Sequence, residues 1–463
     1  MSHKSLTVVG VCLAAVLAAS GCAAGGQPPA ASPASSASAP ADANNPFGVV
    51  AGSTVDAVVF DGGYKTDYVD FAAGVMKQKM DVTATVAASA NVGQELQPRF
   101  VSGNPPDLVD NTGAGSIPEN TILSELLPMD DLWAAKNYDG DVIGDVVMAG
   151  VKETGTYDGK FVAVPYVMTL FSLWYSKSLL AENGWTVPKT WDEMLTLGEQ
   201  AKAKGKYLFT FGKEASSYWQ WALLDSATKE GGREVWLRVA NLEPNAWSDP
   251  AIVGVLTKMK ESVDKGYWVP GGAGTQFTQA QAQWSNDQSA LFYMSGSWIE
   301  SEMKMATKAG FEMTATPVPT LTTTPKLPFE TVSASASERF IVPAKAANAA
   351  GGKELLRALL SKEAAANFSK TRMAPTIVKD TVPADGFGST ALASTMGTLE
   401  AAGDNIISFP GLFTDFYGMG DDGNVAWSSF LSGDLSVEQM TARLQEINDK
   451  VASDSSITKN TYK

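Results

Sequence analysis

Between Ser53 and Ser116 the chain alternates between two periodicities, and this constrains its fold more than any other feature. The apolar run STVDAVVF reads as a buried strand, and the turn Asp61-Gly62-Gly63-Tyr64 leads into the amphipathic stretch DYVDFAAGVMKQKM. A second strand, VTATVAAS, is followed by a helix, VGQELQPRFV, closed by Ser102-Gly103 and by Pro105 and Pro106. A short strand, Asp107 to Asp110, then runs into Asn111-Thr112-Gly113-Ala114-Gly115-Ser116. Strand alternating with helix implies an α/β protein with a parallel sheet and right-handed crossovers. Ligands of such sheets gather beyond the carboxyl ends of the strands, so the two loops should open on one side. Asp61, Tyr64, Asn111 and Ser116 are therefore the first candidate polar contacts. Gly and Asn also serve simply as turn residues. Neither loop has the spacing of a phosphate-binding or dinucleotide-binding motif.

From about Gly48 onward the chain is too long for one ordinary core, so two lobes are expected. FVAVPYVMTLFSLWYSK is a long apolar run without helical period, and Thr190-Trp191-Asp192-Glu193 has the form of a helix-capping box. Two stretches concentrate aromatic side chains at loop-to-helix junctions. One is FTFGKEASSYWQWA, with Tyr218, Trp219 and Trp221; the other is ALFYMSGSWIESEM, where a Ser-Gly-Ser turn precedes Trp298. Of two tryptophans spaced like Trp219 and Trp221, one usually faces inward. For Trp133, Trp174, Trp236 and Trp268, and for Trp191 over a helix end, core packing is expected.

The ends of the chain narrow the function. MSHKSLTVVGVCLAAVLAASGC has a basic start at Lys4, an apolar run too short to stay in a membrane, and small residues before Cys22. Residues 1–21 read as an export signal, and 22–47, rich in Ala, Ser and Pro, as a flexible tether. Both cysteines, Cys12 and Cys22, and the single histidine, His3, lie in this region. The mature domain is thus expected to lack His-based nucleophilic catalysis and any zinc site, and no cofactor is expected. A net charge of −15 argues against nucleic acid as a partner.

Ala19-Ser20-Gly21-Cys22 resembles a bacterial lipobox, which implies lipidation of Cys22 and a place on the extracellular face of the membrane. Together with GNPPDLVDNTGAGS, VPYVMTLFSLWYSK, PKTWDEM, ALFYMSGSW, FIVPAK and LLSKEAAANF, it resembles the family 1 extracellular solute-binding proteins, the sugar receptors of ABC importers. The resemblance implies a two-lobed, type II periplasmic-binding-protein-like fold with the ligand in a cleft between lobes, and permease subunits as partners. Crossings are then expected near Tyr166 to Thr169, Thr314 to Pro319 and Ala374 to Thr376. Lobe 1 would be 48–167 and 316–375, and lobe 2 168–315 and 376–463. By the same resemblance Trp298 lies against a sugar face. Tyr218, Trp219, Trp221, Phe416 and Tyr417 are further candidate plates.

NPFGVV, LQPRFVSGNPPDLVDNTGAGS, NLEPNAW, SWIESEM and AGFEMTATPVP look like actinobacterial members that receive N-acetylglucosamine and N,N'-diacetylchitobiose. That implies an N-acetylated amino sugar or chitooligosaccharide as ligand. A pyranose offers an apolar C–H face and a polar rim, which suits an aromatic plate with hydrogen-bonding groups around it. Two rival readings remain: a receptor for another neutral oligosaccharide, and a surface glycosidase, which would need two carboxylates at defined separation.

Overall fold

The computed structural model describes residues 39–463, apart from 63, 113–115, 149, 409–416, 418, 458, 460 and 463. The expected lipidation site, Cys22, lies outside the described residues. Among the described residues eleven strands are formed: β1 (Thr54–Phe60), β2 (Thr83–Ser89), β3 (Leu108–Asp110), β4 (Thr156–Tyr157), β5 (Lys160–Phe161), β6 (Ala163–Ser176), β7 (Tyr207–Phe209), β8 (Ala290–Gly296), β9 (Met313–Thr316), β10 (Val332–Ile341) and β11 (Ile406–Ile407).

The amino-terminal alternation folds as expected. β1 pairs in parallel with β2 and with β3, joined by the helices Asp67–Met80 and Val92–Ser102. The second helix starts at Asn91, whose side chain accepts from Gln94 N, and stops at Gly103, which adopts the left-handed φ of 73° that ends helices. β1 is buried at Val55, Ala57, Val58 and Val59, while β2, at the sheet edge, exposes much of its length.

One sheet runs through the molecule in the order β2-β1-β3-β10-β6-β8-β7, with β11 beside β10 and β9 beside β6. The apolar run without helical period is its spine. β6 extends over 14 residues, roughly 45 Å at the usual strand rise. Its first part pairs with β10 (Ala163↔Ile341 to Phe171↔Ser333), and its last part pairs with β8 and β9 (Phe171↔Gly296 to Ser176↔Met313). It therefore leaves one hydrophobic core and enters another.

The first core gathers β1, the helix Asp67–Met80, Tyr166, Phe340 and the helices Ala349–Leu359 and Lys362–Arg372, and continues to Trp284 and Tyr293. The second gathers Trp191, Phe209, Trp219, Trp247, Trp268, Phe292 and Trp427. The capping-box reading holds with one change: Thr190 Oγ1 accepts from Glu193 N at 3.2 Å, but Glu193 Oε2 accepts from Lys189 N (2.7 Å) rather than from the cap residue.

One expected crossing is placed differently. Residues 316–331 were expected in lobe 1, yet Val318 lies in the second core, and its carbonyl accepts from the buried Lys229 Nζ at 2.6 Å. Thr320 N donates to Lys189 O, and Leu327 N to Lys229 O. The strand that passes back from the second core is β10: Ser333 N donates to Asp225 Oδ2 at 3.2 Å, whereas Phe340 and Val342 pack in the first core. The stretch has no periodicity of its own, so its partners, not its residues, decide where it lies.

Candidate functional site

Four aromatic rings from three separate segments converge where β6 passes between the cores. Phe171 is the residue of β6 that pairs with both Ser333 and Gly296. Its ring lies 4.1 Å from that of Trp221 and 5.7 Å from that of Trp298, the latter edge-on. Tyr218 stacks on Trp221 at 4.6 Å and meets Trp298 edge-on at 6.1 Å. All four side chains are only half buried. Such a cluster braces its own rings while leaving faces and edges for a flat partner.

The Ser-Gly-Ser turn explains how Trp298 is placed. A Cβ on Gly296 would fall 2.1 Å from the Trp298 ring, so the indole lies folded over that glycine. Ser297 Oγ accepts from Leu170 N at 3.3 Å, tying the turn to β6, and Trp174 Nε1 donates to Ser295 O at 3.0 Å. The helix Ile299–Met303 follows at once, and Glu302 N donates to Trp298 O. Trp298 and Glu302 therefore stand one turn apart on the same side of the chain. Glu302 Oε2 accepts from Gln281 Nε2 at 2.8 Å.

Polar groups also gather on the first core. Tyr64 is partly buried with its ring 5.3 Å from Phe368; burial, and then the carboxylates of Glu338 and Glu302, hold its hydroxyl well above the usual tyrosine range. The same Glu302 charge, after burial, helps push Tyr218 up to about 12. Asp110, at the end of β3, is fully buried, with Thr112 Oγ1 donating to it at 2.5 Å and Tyr68 Oη at 3.4 Å. Burial pushes its carboxyl up to about 7; burial and then Asp110 push Glu338 well above its ordinary value.

The candidate residues separate into groups. Tyr218, Trp221 and Trp298 come together. Trp219 does not join them: it is 1 % exposed in the second core, with its ring 4.8 Å from that of Phe209 and 4.5 Å from that of Trp268. A helix turn of about 100° per residue sends neighbours two apart to opposite sides, and here Trp219 is the inward one. Asn111 is also fully buried. Its Oδ1 accepts from Ile117 N at 2.8 Å and its Nδ2 donates to Ile117 O at 2.7 Å and to Glu119 Oε1, so it clamps its own loop. Both of its amide hydrogens are thus spent within the protein.

Tyr417 is buried in the second core and Phe416 lies outside the described residues. Asp61 is exposed and paired with Lys65 at 3.2 Å. Ser116 is half buried beside the undescribed 113–115. Phe171, Glu302 and Glu338 were not anticipated. For Glu302 a signal existed, because it follows Trp298 by four in a helical stretch; for Phe171, the alternating β6 side chains give two equally apolar faces.

A recess of about 170 Å³ lies against Met168, Ala334, Ala336, Gly403 and Asp404, and no aromatic side chain lines it. Among the described residues no group of His, Cys, Asp and Glu could hold a metal ion, and no helix is long and apolar enough to cross a membrane.

The chain is similar to several known proteins. The chain is 56 % identical over 418 residues to the diacetylchitobiose binding protein NgcE of Streptomyces coelicolor, covering 90 % of this chain and 89 % of that one. It is 24 % identical over 222 residues to a multiple sugar-binding protein of Streptococcus mutans, covering 46 % of this chain and 50 % of that one. Among solved structures, apo RafE of Streptococcus pneumoniae superposes with a TM-score of 0.70 at 18 % identity, covering 86 % and 98 % of the two chains. A chitin oligosaccharide binding protein gives 0.64 at 18 % identity, covering 87 % and 100 %. These neighbours share the two-lobed type II fold. Residues 51–366 match the family described as bacterial extracellular solute-binding protein, and the chain belongs to that family.

Proposed function

We propose that the protein captures N,N'-diacetylchitobiose, and N-acetylglucosamine as its single unit, at the Phe171–Tyr218–Trp221–Trp298 cluster and delivers it to an ABC permease. The observation that carries the reading is the bracing of Trp298: an indole laid over Gly296, edge-on to two neighbours, with Glu302 beside it. The sugar's C–H face meets the indole and its rim meets hydroxyl and carboxyl groups. The name of the Streptomyces coelicolor relative, at 56 % identity over nearly the whole chain, supports the choice of sugar.

In this reading the lobes are 48–167 with the chain from about 340 to 375, and 168–331 with 376–463. β6 and β10 are the strands that bend when the cleft closes. Ligand shifts the closed state only by touching both lobes, which Tyr64 on one side and Trp298 on the other allow. A complex with Kd on the order of 1 μM requires about −8 kcal/mol. The tether 22–47 and a lipid on Cys22 hold the receptor at the outer face of the cell membrane.

The protein binds and releases its sugar without cleaving it. Calorimetric titration of the soluble chain, lacking Cys22, with N,N'-diacetylchitobiose, N-acetylglucosamine, maltose and raffinose tests this. Saturation by the N-acetylated sugars with no product formed is expected. Saturation by maltose or raffinose alone would move the protein to another neutral oligosaccharide, and cleavage of the dimer would make it an enzyme.

A further inference from the structure

Glu302 has a place that the capture of a ring by Trp298 leaves unexplained. Its backbone N–H bonds to Trp298 O, so its side chain rises beside the indole. One oxygen, Oε2, is fixed by Gln281 Nε2 at 2.8 Å; the other, Oε1, carries no hydrogen bond among the described residues. No Lys or Arg pairs with Glu302 among the described residues. Glu302 is exposed, and its carboxylate is tethered by one oxygen and open at the other.

What lies beneath it is also specific. Gln281 is 1 % exposed and Tyr293 2 % exposed, and the Gln281 amide lies against the Tyr293 hydroxyl. Tyr293 stacks on Trp284 at 5.9 Å, deep in the core. The buried amide thus spends its donor on Glu302, when a neutral partner at its own depth would have cost less to bury. After burial, the Glu302 charge helps raise the hydroxyls of three tyrosines: Tyr64 from the first core, Tyr218 from the aromatic cluster, and Tyr293 from β8.

We propose that Glu302 is a specificity-determining residue of the cleft: its free oxygen accepts a hydrogen bond from the rim of the ring seated on Trp298, and Gln281 holds it in position. This rests on the ring lying against Trp298 as proposed above, but not on which sugar supplies it. A carboxylate only accepts, so the rim group it meets must be a donor, an acetamido N–H or a hydroxyl. The bond to a charged acceptor is stronger than one between neutral groups. The same charge repels a sugar that bears a carboxylate on that edge, so neutral rings enter and acidic ones are excluded.

The pH dependence has a definite sign. Burial raises the Glu302 carboxyl above its ordinary value, and the Gln281 bond lowers it again. Protonation on acidification removes the charged acceptor, so affinity falls as pH drops through the raised value. Without the Gln281 donor that value lies higher still.

The test is calorimetric titration of wild type, Glu302→Gln and Gln281→Leu with whichever neutral saccharide of the panel saturates wild type, N,N'-diacetylchitobiose being expected, at several values between about pH 5 and pH 8. Glu302→Gln is expected to weaken binding about tenfold at the upper pH with an unchanged melting temperature, and to lose most of the acid fall in affinity. Gln281→Leu is expected to keep that fall and shift it to higher pH. Wild-type affinity and an unaltered pH profile in Glu302→Gln would overturn the assignment, whichever sugar binds. Should the saturating sugar be other than chitobiose while Glu302→Gln still loses affinity, the ligand assignment fails and the role of Glu302 stands. A panel in which no saccharide binds wild type would overturn both.

Discussion

The two sides of the cleft are built on opposite principles. On the second-core side, rings are spent on one another only in part: Phe171, Tyr218, Trp221 and Trp298 touch edge to face and stay half buried. On the first-core side, polar groups are spent almost entirely within the protein. Asn111 closes its own loop, Asp110 receives Thr112 and Tyr68, and Asp61 pairs with Lys65. In the proposed reading, binding capacity sits on the aromatic side, and the polar side mainly shapes and closes the space. A loop residue of the right chemical type is a ligand contact only if its own fold has left it unsatisfied.

Substitutions break or sharpen this contrast. The largest effect is expected where an aromatic is structural: Trp219→Ala should cost about 3–5 kcal/mol of folding stability, read by denaturant titration, with little change in the affinity of the folded fraction. At Trp298 the effect changes kind. Trp298→Ala should weaken sugar binding about ten- to a hundredfold, about 1.4–2.8 kcal/mol, with a nearly unchanged melting temperature. A tryptophan at 298 that proved as destabilising to remove as Trp219 would erase the distinction. Asn111→Ala should lower stability by about 1–2 kcal/mol through the orphaned Ile117 amide, and affect binding only through that loop. A direct loss of affinity without loss of stability would restore Asn111 as a contact. Asp61→Ala should change stability by no more than about 0.5 kcal/mol, since its partner Lys65 is 64 % exposed.

Much of the fold was legible because its signals are local. The parallel β1–β2–β3 unit follows from the alternating periods, and Gly103 ends its helix where the sequence puts a stop. Other features depend on partners far along the chain. Trp219 and Trp221 differ only in which side of their helix meets Phe209 and Trp268, which lie outside that helix. Asn111 looks like any turn asparagine until Ile117 folds back onto it. Residues 316–331, Thr- and Pro-rich, carry no period, and only the buried Lys229 and Trp191's neighbourhood assign them to the second core. Glu302 was visible as the fourth residue after Trp298, but Gln281, which gives it a fixed position, lies 21 residues earlier. Satisfaction of polar groups is a tertiary property, and it decided most of the candidate site.

The most direct test of the account is a crystal structure of the soluble chain with N,N'-diacetylchitobiose. The account predicts one pyranose lying face-on to the Trp298 indole between Tyr64 and Trp221, with Trp219 and Asn111 out of contact. Sugar seated instead in the recess beside Met168 and Asp404, or held by Asn111 with Trp298 untouched, would contradict it.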